Sequence, residues 1–190
     1  MIWGAAGVGK THLLRATVAA AVAGGRPAHY VEHPRDADPG LAADAPLVAV
    51  DGIDAADAGA QGRLFTLYNA LATAGGQLVA AAAQAPAQLA VRDDLRTRLG
   101  YGLVYEVVGL RDADKAAALA SYAKTRGFIL GDDVIAYLLA HGRRDMATLV
   151  ATLAALDRHS LAARRPITIP LLRDLLQQQL WPRPVDGPVR

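Results

Sequence analysis

The segment Gly4-Ala5-Ala6-Gly7-Val8-Gly9-Lys10-Thr11 constrains this chain more than any other. It reads G-x-x-x-x-G-K-T, a spacing in which glycines let backbone N–H groups turn inward around a polyphosphate. Lys10 supplies a point charge for the outer phosphate oxygens, and Thr11 a hydroxyl for Mg²⁺. The apolar pair Ile2-Trp3 precedes the segment and the run His12-Leu13-Leu14-Arg15-Ala16 follows it. Strand, loop and helix thus come in the order the chemistry needs, with the positive end of the helix aimed at the phosphates. A nucleoside di- or triphosphate is the expected ligand, contacted by Gly4, Ala5, Gly7, Val8, Gly9, Lys10, Thr11 and His12. Only Met1, Ile2 and Trp3 precede Gly4, short for the strand that feeds such a loop, so a truncated start is expected.

Bulk properties exclude more than they select. A chain of 190 residues holds one domain with a real core, or a compact domain and a small appendage. A formal net charge of +2 is too small to make nucleic acid or a membrane surface the main partner. The absence of cysteine rules out a disulfide scaffold and thiolate metal sites, and fits a reducing cytoplasm. No apolar run approaches the length of about 18 residues that a membrane span needs. No signal peptide is visible, because the phosphate loop occupies the start. His29, His33, His141 and His159 are spaced too widely for a local metal cluster.

Along the chain, a helix is expected from about Lys10 to Val22, closed by Gly24-Gly25. Ala28 to Glu32 reads as a strand, His33 to Pro46 as a loop, and Leu47 to Val50 as a buried strand ending at Asp51. A helix from about Gln61 to Ala74, a strand from Gln77 to Ala83 and another from Leu103 to Val108 complete the first part. Helices then take over: one capped by Asp112 and running to about Arg126 with Gly127 as the stop, one from Asp132 or Asp133 to His141, a Met146-Leu149-Val150-Leu153-Leu156 stripe to about Ala163, and a last one capped by Thr168 through Leu180. The proline-rich tail from Trp181 is expected to be disordered.

A Mg-nucleotide site also needs a carboxylate at a strand end, and Asp51 after four apolar residues has that position. Thr11 and Asp51 are therefore the expected residues around the metal. Hydrolysis requires a second acid to orient water, and the next residue is Gly52. Asp54 and Asp57 read as solvated loop acids.

Several segments together resemble the family of the bacterial replication initiator DnaA and its shorter relative Hda. Gly9-Lys10-Thr11-His12-Leu13-Leu14 looks like that group's form of the loop. Leu64-Phe65-Thr66-Leu67-Tyr68-Asn69-Ala70-Leu71 resembles its F-x-L-Y-N helix, and Asp94-Leu95-Arg96-Thr97-Arg98-Leu99-Gly100-Tyr101-Gly102 its arginine-finger segment. Leu110 to Lys115, Arg126-Gly127-Phe128, Leu156 to Ser160 and Pro166 to Pro170 are similar to the opening and close of the family's lid. The resemblance implies an α/β P-loop NTPase fold of the AAA+ type, with a parallel-sheet core over residues 1–108, an all-helical lid over 109–180 and a tail over 181–190. It implies ADP or ATP as ligand, with Mg. It further implies that Arg98 acts in trans as an arginine finger on ATP held by the initiator DnaA, with Arg96 as the fallback, lowering replication initiation from a place on the DNA polymerase sliding clamp.

No basic recognition helix follows the lid, so sequence-specific DNA binding is not expected. Homodimerisation is left open. Three departures from the family pattern stand out. Ala147 occupies the place of a lid arginine that touches nucleotide, leaving Arg143 or Arg144 to compensate. Gly52 and Ala83 stand where related ATPases carry an acid and a polar γ-phosphate sensor. The clamp-binding peptide of the family is not seen upstream of the core. A self-acting ATPase of the initiator or helicase-loader kind, and a degenerate adaptor that uses the fold only for protein contact, are the alternatives.

Overall fold

The computed structural model describes residues 1–180, so the expected tail and Trp181 lie outside the described residues. The chain divides into two compact units, Met1–Gly109 and the remainder from Leu110. In the first, β1 (Ile2–Trp3), β2 (Ala28–Val31), β3 (Leu47–Val50), β4 (Gln77–Ala82) and β5 (Tyr105–Glu106) form a parallel sheet in the order β2-β3-β4-β1-β5. Ile2 lies opposite both Ala81 and Tyr105, which makes β1 an interior strand with the glycine-rich loop issuing from its C-terminal end.

Four helices join the strands: α1 (Lys10–Ala23), α2 (Leu41–Asp44), α3 (Ala58–Thr73) and α4 (Asp93–Tyr101). α1 steps across the sheet one way and α3 steps back, so right-handed crossovers put them on opposite faces. The period-two alternation of the strands shows it directly. Val48, Val50, Ala80 and Ala82 pack with Leu64, Leu67 and Leu71 of α3. The alternate residues Ala49 and Ala81 pack with Leu14 of α1. Alanine at both positions leaves room for Leu14, which is wholly buried. Each such leucine contributes roughly 1.5–3 kcal/mol by leaving water.

Several boundaries differ from the sequence expectation, each for a local reason. The segment 103–108 is strand only at Tyr105–Glu106, because its partner β1 is two residues long. Beyond the strand, pairing ends with the Val107 N–H donating to the Trp3 carbonyl at 2.7 Å. The expected loop over 33–46 contains a 3₁₀ turn at Pro34–Asp36 and the short α2. Pro34 sits at the first position of that turn, where its fixed φ favours a helical start. α3 begins three residues early because Asp57 caps it, accepting the Ala60 N–H at 2.7 Å.

The second unit packs α5 (Asp112–Arg126), α6 (Asp132–His141), α7 (Met146–Ala163) and α8 (Ile169–Leu180) around Leu119, Leu138, Leu149, Leu153, Leu156 and Leu172. Met146 and Val150 of the expected stripe pack half-buried at the rim of that core. Asp112 lies inside the first turn of α5 and does not cap it; the cap position is Arg111. Gly127, at φ 79°, ends α5, as expected.

Candidate functional site

The loop from Gly4 to Thr11 is shaped by one close approach. Gly4 donates its N–H to the Ala82 carbonyl at 3.2 Å and has a φ of 154°. A Cβ at Gly4 would lie 2.4 Å from the carbonyl oxygen of Val107, so only glycine lets the chain leave the sheet there. The loop then enters α1 through Gly9, with no side-chain cap and no acidic residue in the first turn. The first four N–H groups of a helix have no partner within it, and the Leu13 N–H to Gly9 carbonyl bond is where pairing begins. Uncapped donors with no competing carboxylate suit a phosphate.

Lys10 is half-buried, with Nζ donating to the carbonyls of Gly4 at 2.6 Å and Ala5 at 2.9 Å. These bonds fold the ammonium into the mouth of the loop. Thr11 donates its hydroxyl to Oδ2 of Asp51 at 2.5 Å, joining the start of α1 to the end of β3. The other oxygen, Oδ1, accepts the Gly52 N–H at 2.9 Å. A hydroxyl and a carboxylate converging on one point are hard oxygen donors of the kind Mg²⁺ takes. The residues present thus fit a magnesium-bound nucleotide: Thr11 and Asp51 could hold the ion or its water shell, and Lys10 and the loop N–H groups the phosphates. Such an ion supplies charge neutralisation on phosphate oxygens when bound. Ala5 and His12 are exposed beside the loop and Val8 is half-buried in it.

Sequence reasoning missed Tyr30. Its hydroxyl donates to the same Oδ2 of Asp51 at 3.2 Å, and its ring lies under the Arg15 guanidinium at 4.9 Å. Burial raises the Tyr30 hydroxyl above its ordinary range, and the negative Asp51 adds to this against the opposing pull of Arg15. No local sequence signal marks it; the register does, since Tyr30 and Val31 pair with Ala49 and Val50, which brings the end of β2 beside Asp51.

The two loop acids are exposed, as their reading as solvated groups expects, and each also accepts a backbone N–H. Asp57 caps α3, and Asp54 accepts the Ala83 N–H at 2.5 Å across the end of β4. Gly52 has φ 65° and ψ 40°, a left-handed geometry that an acidic side chain would occupy only under strain.

Away from the loop, α4 presents its arginines in two different states. Arg96 donates to the carbonyls of Leu89 at 3.3 Å and Val91 at 2.7 Å and to Asp93 at 2.8 Å. Arg92 pairs with Asp94 at 2.5 Å, and its backbone N–H donates to Gln61 at 2.9 Å. Partial desolvation raises the Asp94 carboxyl, but the bonds from Arg92 and the Leu95 N–H outweigh it and hold the group below its usual range. Arg98 is exposed and has no carboxylate or carbonyl partner among the described residues. Its guanidinium carbon lies 5.6 Å from the Tyr68 ring centre and 6.0 Å from that of Phe65.

In the helical unit, Ala147 is exposed in the first turn of α7. Arg143 lies 3.4 Å from Asp145, and Arg144 pairs with Asp112. Both arginines that the sequence nominated as substitutes thus have anions of their own.

A five-stranded parallel sheet with a glycine-rich loop at an interior strand, followed by a helical lid, defines an α/β P-loop fold of the AAA+ class. Residues 112–176 match the sequence model described as "Hda, lid domain". Domain III of the replication initiation protein DnaA from Thermotoga maritima superposes with a TM-score of 0.82 at 18% identity, over 93% of this chain and 82% of that one. AMPPCP-bound DnaA from Aquifex aeolicus gives 0.69 at 22% identity, over 82% of this chain and 54% of the other. The chain therefore spans about half the length of the Aquifex protein. The Thermotoga maritima RuvB Holliday junction branch migration motor gives 0.68 at 14% identity, over 93% and 60%. Over residues 112–176 the chain is thus similar to an Hda lid domain, and its fold is that of the α/β P-loop proteins of the AAA+ class.

Proposed function

We propose that this protein binds ADP or ATP with Mg²⁺ in the Gly4–Thr11 loop and promotes hydrolysis of ATP held by the replication initiator DnaA, lowering the frequency of initiation. The observation that carries the reading is the state of Arg98. Its neighbours Arg92 and Arg96 are tied to carboxylates and carbonyls, while Arg98 is exposed and has neither kind of partner among the described residues. A guanidinium available in that way can stabilise charge on a phosphoryl group in a neighbour's site, an effect worth 10³-fold or more where it operates. Weak turnover by the chain itself fits the same picture. Gly52 supplies no second acid, and Asp54 is spent on the Ala83 N–H. In this reading the sliding clamp is the assembly platform, and the chain acts in the cytoplasm. Nucleotide would stabilise the fold and leave chemistry to the partner's site.

Two measurements test the proposal. Calorimetry should detect ADP and ATP binding that Lys10→Ala abolishes. Hydrolysis of initiator-bound ATP should rise when the chain is added with clamp and DNA; an unchanged rate contradicts the reading. The second reading, a self-acting ATPase, gains from the Thr11–Asp51 pairing, which is intact. It would be favoured by steady turnover of the isolated chain that Lys10→Ala removes.

A further inference from the structure

We propose, resting on the reading of Arg98 as a guanidinium that acts in trans, that Phe65 and Tyr68 form an aromatic platform which orients Arg98 before it meets a phosphate. Both are positioning residues with no part in the chemistry. They lie three positions apart on α3, hence on one face, and both are half-buried. The Arg98 guanidinium carbon is 5.6 Å from one ring centre and 6.0 Å from the other, within reach of the attraction between a cation and a ring face.

The helix that carries Arg98 is itself fixed against those rings. Arg96 ties it to the carbonyls of Leu89 and Val91. The Arg92 N–H binds Gln61 of α3, and the Arg92 guanidinium also lies 6.0 Å from the Phe65 ring centre. Phe65 therefore touches one arginine that is anchored and one that is free.

A ring differs from a carboxylate as an arginine partner in one decisive way. A salt bridge would hold Arg98 in place by consuming its N–H donors and neutralising its charge. Contact with an aromatic face restricts the same rotamers while leaving the in-plane donors directed outward. The loss of side-chain freedom on reaching a phosphoryl group is then partly met beforehand. Two rings on the neighbouring helix and, among the described residues, no paired anion are what such a device requires.

The test uses the full chain and compares Tyr68→Leu, Phe65→Leu and the conservative Tyr68→Phe. In NMR spectra of the parent, the Arg98 side-chain protons should be displaced by ring currents. Each leucine variant should reduce that displacement and Tyr68→Phe should keep it. In the trans-hydrolysis assay each leucine variant should lower the maximal stimulated rate by about 2–5-fold, the size of an exposed cation–ring contact. The chain concentration giving half-maximal stimulation should stay constant, and Tyr68→Phe should behave as the parent. In an Arg98→Ala background the leucine variants should add nothing. An undisplaced Arg98 signal in the parent, an effect on half-saturation alone, or an equal loss in the Arg98→Ala background overturns the platform. An Arg98→Ala chain that stimulates as well as the parent overturns the finger itself, whatever the spectra show.

Discussion

Replacing Arg96 and Arg98 by alanine, one at a time, should separate stability from function along a single helix. Arg96 supplies a charged donor to the Val91 carbonyl at 2.7 Å, a longer bond to Leu89 at 3.3 Å and an exposed pair with Asp93 at 2.8 Å. The first is worth about 1.5–3 kcal/mol as a bond to a charged group. The exposed pair adds about 0.5 kcal/mol and the long bond little. Leu89 and Val91 are buried, so their carbonyls lose a partner that water replaces poorly. The total is about 2–3.5 kcal/mol, or a fall of roughly 1–2 M in the urea midpoint for a slope of about 2 kcal/mol/M. Arg98→Ala removes only ring contacts and should cost no more than about 1 kcal/mol. Urea titrations followed by Trp3 fluorescence, in a Trp181→Phe background, would read both. An Arg96→Ala midpoint equal to the parent's, or a larger loss for Arg98→Ala, would refute the assignment of Arg96 to structure and Arg98 to function.

Other consequences follow from the same contacts. Asp145 caps α7 by accepting the Thr148 N–H at 2.9 Å; that bond first, then the Thr148 hydroxyl, outweighs desolvation and holds its carboxyl below the ordinary value of about 3.9. Its stabilisation is therefore full above that value and lost as pH falls through the lower folded one. Asp145→Ala should cost about 1 kcal/mol at neutral pH, with the difference from the parent shrinking in thermal melts below about pH 4. Gly52→Ala should lose about 1–2 kcal/mol through its left-handed backbone alone, since nothing crowds a Cβ there; a neutral result in chemical denaturation would remove the strain argument. Leu67→Ala, emptying a wholly buried site under α3, should cost about 2–5 kcal/mol in the same assay.

Much of the fold was legible because strand and helix periods are written plainly in the apolar residues. Leu47 to Val50 has the limits read from sequence, set by a four-residue apolar run, and α5 ends at Arg126 as read, set by Gly127. Short elements were harder. The length of β5 depends on its pairing with the two residues of β1, a long-range fact with no local mark. Asp57 looked like any loop acid because a cap is recognised only once the helix start is known. The loop and Asp51 were found from motif spacing, and the structure brings Thr11 and Asp51 within hydrogen-bonding distance. Tyr30 and Asp54 were beyond reach. Each acts across strands, on Asp51 and on the Ala83 N–H, and sequence separation conceals both.

Single-turnover hydrolysis of labelled ATP preloaded on the initiator bears most directly on the claim that Arg98 does its chemistry in a partner's site. With clamp and DNA present, the parent chain and Arg96→Lys should accelerate label release, while Arg98→Ala should lose at least about a hundred-fold of that acceleration without losing nucleotide binding of its own. Acceleration by Arg98→Ala equal to the parent's would contradict the account.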